Sequence, residues 1–458
     1  MDTTRVIITV SLAMFFEFAI WGAWMPVLAG RLTGPLKMTG RQSAMIYATL
    51  TFASMISPVI GGYIGDKFVD PKWLLIVLHA VGALLLFVAA KTEQFGKLFR
   101  IMLLYSFCYA VTIPMVNTVL FANEAAMKAS GFDIGCLFTL FGVKVGFVGF
   151  VFLWAPVAWA IAGYGLSFWR AKKGVGDGSD CLKLAAWMSV LMVVSCCFLG
   201  GTPKSEAAGV VAETTRSIGG FLAQPEVYLF LLVQFLVVGV QQFYFMGTGS
   251  FLTSSGKVQE KSISAIMATA QVVQALATLF LLGKMGNQTT LIIGTLCWSM
   301  LFAVYILGRP IGLMIPIQAF HGLAYVFFVI AGQNYINVLE GAYSQGAMQA
   351  TAQGILLVVT NGFGLFLGTW LAGRMLDAAR DSEGSIAWPK VWCVPLLLTL
   401  VGAAIFFASP FVEAAPAEPV CEDPTCVVGV EADVTAVSGA TTPVEEPAPA
   451  PETPVEEP

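Results

Sequence analysis

Charge is what this chain has least of. Of its 458 residues only 11% are charged and 57% are hydrophobic, where soluble domains carry about 25% charged residues. With a mean hydropathy of +0.80, there are too few polar groups to clothe a soluble globule. No basic stripe is present to neutralise phosphates, which excludes a nucleic-acid partner. Histidine occurs twice and cysteine nine times. Most cysteines lie inside apolar runs (Cys108, Cys196, Cys197, Cys297, Cys393), unlike the framework of a disulfide-built domain. HExxH, GxSxG and metal-spaced Cys/His clusters are all missing. The stretch GSFLTSSGK glances at a phosphate loop, but six residues separate Gly249 from Gly256 and Val258 stands where Ser or Thr is needed. An enzyme is therefore not expected, nor is a cofactor or a bound metal.

Long apolar runs are abundant. A membrane helix needs about 20 mainly apolar residues, and the sequence offers twelve such spans: 6–28, 44–65, 73–90, 99–121, 137–162, 182–200, 227–252, 263–282, 290–308, 311–331, 352–372 and 391–411. The first contains Glu17, is long for a signal peptide and precedes no strong cleavage site. Six spans fill residues 1–200, a polar loop covers 201–226, and six more occupy 227–412. The expectation is an all-α membrane protein of two six-helix bundles, the layout of a two-halved transporter. The remainder, 413–458, holds eleven acids, nine prolines and no Lys or Arg. It is expected to be disordered, and Cys421 and Cys426 within it read as incidental thiols. Removing this tail leaves 24 basic and 17 acidic residues in 1–412, so the net charge of −4 belongs to the tail. With the amino terminus inside, seven basic residues fall in inner segments and sixteen in outer loops, and the positive-inside rule favours the opposite orientation.

An ionised group at mid-membrane costs at least about 2.5–3.5 kcal/mol, so the few polar residues within spans are the candidates for function. Glu17 is the one acid, sharing a helix face with Trp21 and Trp24. It reads either as a proton carrier or as a neutral acid bonding a neighbouring helix. Lys144 is the one deep base, expected on a helix opposite the small-residue stripe Gly142, Gly146 and Gly149 and turned toward a cavity, or else paired with Glu17. His79 and His321 lie in spans. Later spans carry amides: Gln234, Gln241 and Gln242; Gln271 and Gln274; Gln318 with His321 and Tyr325; Gln353 with Thr360 and Asn361. Span four adds Tyr105, Tyr109 and Asn117. Amides donate and accept and rings stack, which suits an uncharged, planar, polar solute. Each Gln taken alone is equally at home as interhelical glue.

FEFAIWGAW (16–24), GGYIGDKFVDPKW (61–73) followed by His79, SFCYAVTIPMVNTV (106–119) and ATAQGILLVVTNGFGLFLG (350–368) resemble the nucleoside:proton symporter family of the major facilitator superfamily. Gly62, Asp66 and Lys67 resemble that superfamily's gating motif after span two. The resemblance implies a twelve-helix carrier moving nucleosides by alternating access on a proton gradient, in a bacterial inner membrane, as a monomer, with both termini cytoplasmic. It also implies a substrate site: Gln242 and Gln271 match substrate-contacting glutamines, His321 stands for a Tyr, Tyr325 for a Phe, and Lys144 falls at or beside a span-five Arg. Gln274 replaces a Glu, Val326 an Asp and Phe245 an Asn. Lys144, Gln242, Gln271, Gln274, His321 and Tyr325, with Trp21 from the first span, form the expected substrate site. Since the acids of the second half are gone, Glu17, where the family usually has Gln, is expected to carry the proton with Lys144 nearby. The alternatives are a facilitator, a carrier of another small polar solute such as a sugar or nucleobase derivative, and a non-transporting membrane sensor.

Overall fold

The computed structural model describes residues 3–141, 143–200, 214–281, 285–308, 310–344 and 349–412. The tail from 413 and the side chains of Gly62, Asp66 and Lys67 lie outside the described set.

Helix α1 (Thr3–Trp24) follows the first apolar run, turns at residues 25–27 and resumes as α2 (Leu28–Thr33). Helix α3 (Gly40–Lys67) starts from a capping box, Thr39 accepting from the Gln42 amide and Gln42 returning the bond. Asp70 caps α4 (Pro71–Ala90), whose first residue is the proline best tolerated there. Then come α5 (Phe95–Ala129), a hairpin of β1 (Phe138–Leu140) and β2 (Val143–Val145), α6 (Phe147–Lys173) and α7 (Asp180–Cys197). A short α8 (Thr214–Leu222) lies in the central loop. The second half comprises α9 (Pro225–Val238), α10 (Val240–Ser254), α11 (Ile263–Phe280), α12 (Asn287–Leu307), α13 (Ile311–Met314), α14 (Gln318–Ala324), α15 (Ala331–Ser344), α16 (Gln349–Leu357), α17 (Leu365–Ala378) and α18 (Trp388–Ala408).

Several of these join into longer rods. A π-helical turn over Tyr325–Ile330 joins α14 to α15, and another over Val358–Gly364 joins α16 to α17. α9 and α10 are one rod interrupted at Gly239, where a Cβ would strike the carbonyl of Gly364 and the backbone of Gly368. Irregular turns of this kind recur at functional sites because they re-aim side chains. Among the described residues, eleven helical segments are long and apolar enough to cross a bilayer. α3, with 28 residues, is a twelfth helix of spanning length. Only 39% of the apolar window Pro71–Ala90 is buried, and Val77, Val81, Leu84 and Val88 point outward from it. A helix apolar on its outer face as well as its inner one belongs in hydrocarbon.

The fifth span requires a correction. Its helix begins at Phe147, with Gly146 as N-cap, ten residues later than expected. Residues 138–140 and 143–145 instead pair as antiparallel strands with Thr139 opposite Lys144. Thr139, Val143 and Val145 are β-branched and fit a pleated strand better than a helix start. Lys144 is exposed there, not held at mid-helix.

One buried arginine knits the first half at the end remote from Thr3. Arg31 is 1% exposed. Its guanidinium donates to the Asp177 carboxylate (2.7 Å) and carbonyl, and to the carbonyls of Ala90 and Thr92. Arg170, equally buried, makes a bidentate pair with Asp180 at 2.7 Å on both arms. Partial burial pushes the Asp177 carboxyl up, but hydrogen bonds from Ser179 and Arg31 outweigh it and hold the group well below its ordinary 3.8. A depressed carboxyl stabilises the fold above its unfolded value, and the benefit fades as pH falls through the folded one. Melting temperature in detergent should therefore drop between pH about 4 and more acid values, and Asp177→Asn should flatten that slope. An unchanged slope in the variant would assign the acid loss to other carboxylates.

Candidate transport site

The two halves meet at the end remote from Thr3. Along one seam α6 packs on α11. Ser167 Oγ accepts from the Ala265 amide at 2.9 Å and bonds Ser264 Oγ at 2.8 Å, while Tyr164 reaches Thr269. Along the other seam α3 packs on α17. The Asp377 carboxylate accepts from the amides of Gly40 at 2.6 Å and Arg41 at 2.8 Å. Every inter-half hydrogen bond among the described residues lies near this end.

Within the α6–α11 seam a small gap is walled by both halves. Gly22, Pro26, Trp159 and Gly163 contribute from the first, and Tyr244, Phe245, Met267 and Gln271 from the second. It encloses about 10 Å³, the room of a single water. Above it, toward the remote end, is a vestibule of about 530 Å³ that includes Arg170, Glu260, Arg380 and the hydroxyls of Ser250 and Thr253. Pro26 and Phe245 line both spaces. The Phe245 ring lies 5.9 Å from that of Trp159 across the halves.

The sequence-chosen residues distribute unevenly around this gap. Gln271 lines it. Trp21 stands behind its wall, 5.6 Å edge-on to Trp159, and its indole N–H has no described partner. His321 lies one ring back in the second half, stacked on Tyr244 at 4.1 Å and edge-on to Trp298 at 4.8 Å. His321 Nδ1 and Gln242 Oε1 are buried without a described hydrogen-bond partner. Such atoms cost about 1–3 kcal/mol each unless something meets them. Gln274 is buried on the same helix as Gln271, and Tyr325 is half-buried at the first residue of a π turn.

Other amides serve as glue. Gln318 accepts from Tyr244 at 2.7 Å and donates to Tyr305 at 2.8 Å and to the Met314 carbonyl. Gln234 donates to the Phe328 carbonyl at 3.4 Å, and Gln353 to Gln333 and Asn337. Trp159 and Tyr244 were not singled out from sequence, because an aromatic inside an apolar run looks the same whether it faces lipid or a partner helix.

Glu17 bonds neighbouring helices of its own half and does not line the gap. It is fully buried within the first half. Its carboxylate meets His79 Nε2 of α4 at 2.9 Å and accepts from Thr112 of α5 at 2.9 Å. Tyr109 donates to the Glu17 carbonyl at 2.6 Å. The expected neighbour Lys144 belongs instead to the exposed hairpin and does not line the gap. The sequence did hold a signal for the true partner: His79 is the one histidine among the first six spans.

Residues 4–413 match the sequence profile of the family described as Nucleoside H+ symporter. Nucleoside permease NupG of Escherichia coli (strain K12) is 27% identical over 414 residues, covering 86% of this chain and 93% of the permease. Xanthosine permease of the same organism is 24% identical over 407 residues, covering 86% and 93%. The crystal structure of nucleoside transporter NupG superposes with a TM-score of 0.73 at 24% identity, over 89% of this chain and 99% of that one. The profile spans both halves and every element around the gap, so this chain belongs to the nucleoside–H+ symporter family, integral membrane transporters of the major facilitator fold.

Proposed function

We propose that the protein carries nucleosides across the bacterial inner membrane by alternating access, as a monomer. The substrate is held where the gap between the halves widens, and Glu17 takes the coupled proton. The observation that supports this most is Gln271, an amide on the wall of a space bounded by both halves. A gap of about 10 Å³ must grow toward the several hundred Å³ of a ligand pocket, which rocking of two halves does without refolding either one. Gln242, Gln274, His321, Tyr325 and Trp21 supply donors, acceptors and rings as the walls part.

The second reading is a facilitator. Val326, where the resemblance places an acid, is fully buried in an apolar cluster with Ala277 and Phe327, so that position offers nothing to titrate.

Uptake of labelled adenosine and uridine into proteoliposomes, with and without a pH gradient, separates the two. A symporter concentrates nucleoside on the gradient, and Glu17→Gln leaves exchange but not concentration. A native protein that only equilibrates nucleoside is a facilitator, and a Glu17→Gln variant that still concentrates it removes Glu17 from coupling. Gln271→Leu should raise KM by about tenfold, the weight of one lost ligand hydrogen bond, with the fold intact. An unchanged KM puts the substrate elsewhere.

A further inference from the structure

We propose that Glu17 and His79 hold the coupled proton together, as a single hydrogen-bonded pair buried in the first half. The inference rests on the reading of Glu17 as the coupling acid and extends that role to a second helix.

Four helices converge on the pair. Glu17 comes from α1 and His79 from α4, and they are 0% and 2% exposed. One carboxylate oxygen takes the imidazole Nε2 at 2.9 Å, and the other takes the Thr112 hydroxyl from α5 at 2.9 Å. The titratable groups facing Glu17 from the remaining surroundings are Tyr105 and Tyr109 of α5 and Cys196 of α7. Tyrosine and cysteine are ordinarily neutral at pH 7. α6 contributes Trp159, set against Trp21. Lys72 lies about two turns from His79 on α4 and donates to the carbonyls of Cys197 and Leu199.

No fixed positive charge among these contacts offsets an ionised Glu17. With His79 neutral the pair carries one negative charge in a low-dielectric interior, an expensive state. Adding one proton makes it neutral overall, whether the proton rests as imidazolium beside carboxylate or as carboxylic acid beside neutral imidazole. The hydrogen bond between Nε2 and Oε2 survives in both forms, so the proton is gained and lost without repacking.

The pair also touches the route to the substrate. Tyr109, bonded to the Glu17 carbonyl, lies 6.5 Å from Trp21 ring to ring, and Trp21 lies 5.6 Å from Trp159 on the gap wall. Substrate and proton must influence each other's binding equally if either does, and this short chain of packed rings is a physical connection for it.

The test is a double-mutant cycle in full-length protein in proteoliposomes, with Glu17→Gln, His79→Gln and the combined variant. Each is read for accumulation driven by an imposed pH gradient and for nucleoside exchange without one. The combined variant retains an amide-to-amide hydrogen bond, which guards against a misfolded result. His79→Gln is expected to lose at least about tenfold in driven accumulation while keeping exchange, and to shift the pH dependence of uptake. The combined variant is expected to be no worse than Glu17→Gln alone, as for residues that act as a unit. If His79→Gln accumulates like the native protein with the same pH profile while Glu17→Gln fails, the pair is overturned and Glu17 stands alone. Multiplying losses in the combined variant also overturn it. Concentrative uptake by Glu17→Gln overturns both readings.

Discussion

Gly322→Val should leave almost no folded carrier. Gly322 sits on α14 between Gln318 and Tyr325, where that helix crosses α11 backbone to backbone. A Cβ there would collide with the Ala270 carbonyl and come within 2.9 Å of the Gln274 amide. Neither obstacle is a flexible side-chain tip, so nothing can swing aside. The whole helix must move, at a cost of about 3 kcal/mol, the upper part of the overpacking range. The residues at this crossing are those of the candidate site: His321 adjoins Gly322, and Gln271 and Gln274 belong to the obstructed stretch of α11. A displacement that leaves the protein folded still separates His321 from the glutamines. The expected measurements are loss of the monodisperse peak in detergent, or a large fall in melting temperature with transport abolished. Gly322→Val behaving like the native protein would mean that α14 and α11 are farther apart in the membrane than here.

Most of the helices were legible in the sequence because twenty-residue apolar runs have few other uses. The hairpin at 138–145 was not. Its residues are as apolar as the helix that follows, and only the β-branched Thr139, Val143 and Val145 hinted at strands. Lys144 was misplaced for the same reason, since a helical face computed for a segment that is not helical has no meaning. Glu17 and His79 were each visible as rare polar residues, but sequence gives no register between α1 and α4. The pairing emerges only when α5 and α7 lock those helices together. The amides divide in a way no pattern distinguishes: Gln318 is fully engaged with Tyr244 and Tyr305, whereas Gln242 keeps a buried oxygen unmet. Arg31 and Arg170, two of the sixteen basic residues counted against a cytoplasmic amino terminus, are buried in ion pairs.

Asp377→Ala should loosen the seal at the end remote from Thr3, which is the outer end when the amino terminus is cytoplasmic. The first residues of a helix carry amides with no partner inside it and a partial positive charge. Asp377 of the second half meets two of these at the start of α3 in the first half, at 2.6 and 2.8 Å. Ser167 of the first half does the same for α11 of the second, through the Ala265 amide. Each half thus caps a helix of the other, and only while this end is shut. Opening exposes the amides to water, so removing the carboxylate penalises the closed state alone. Losing a charged cap is worth about 1–2 kcal/mol, which moves the open-to-closed ratio by roughly tenfold. Spin labels at the exposed positions Lys37 and Ser382 should report a longer-distance population in Asp377→Ala. Asp377→Asn, which keeps a neutral acceptor, should fall between it and the native protein. Ser167→Ala, losing a single uncharged bond, should shift the distances less. Identical distance distributions across all four proteins would show that apolar contact, not helix capping, holds this end closed.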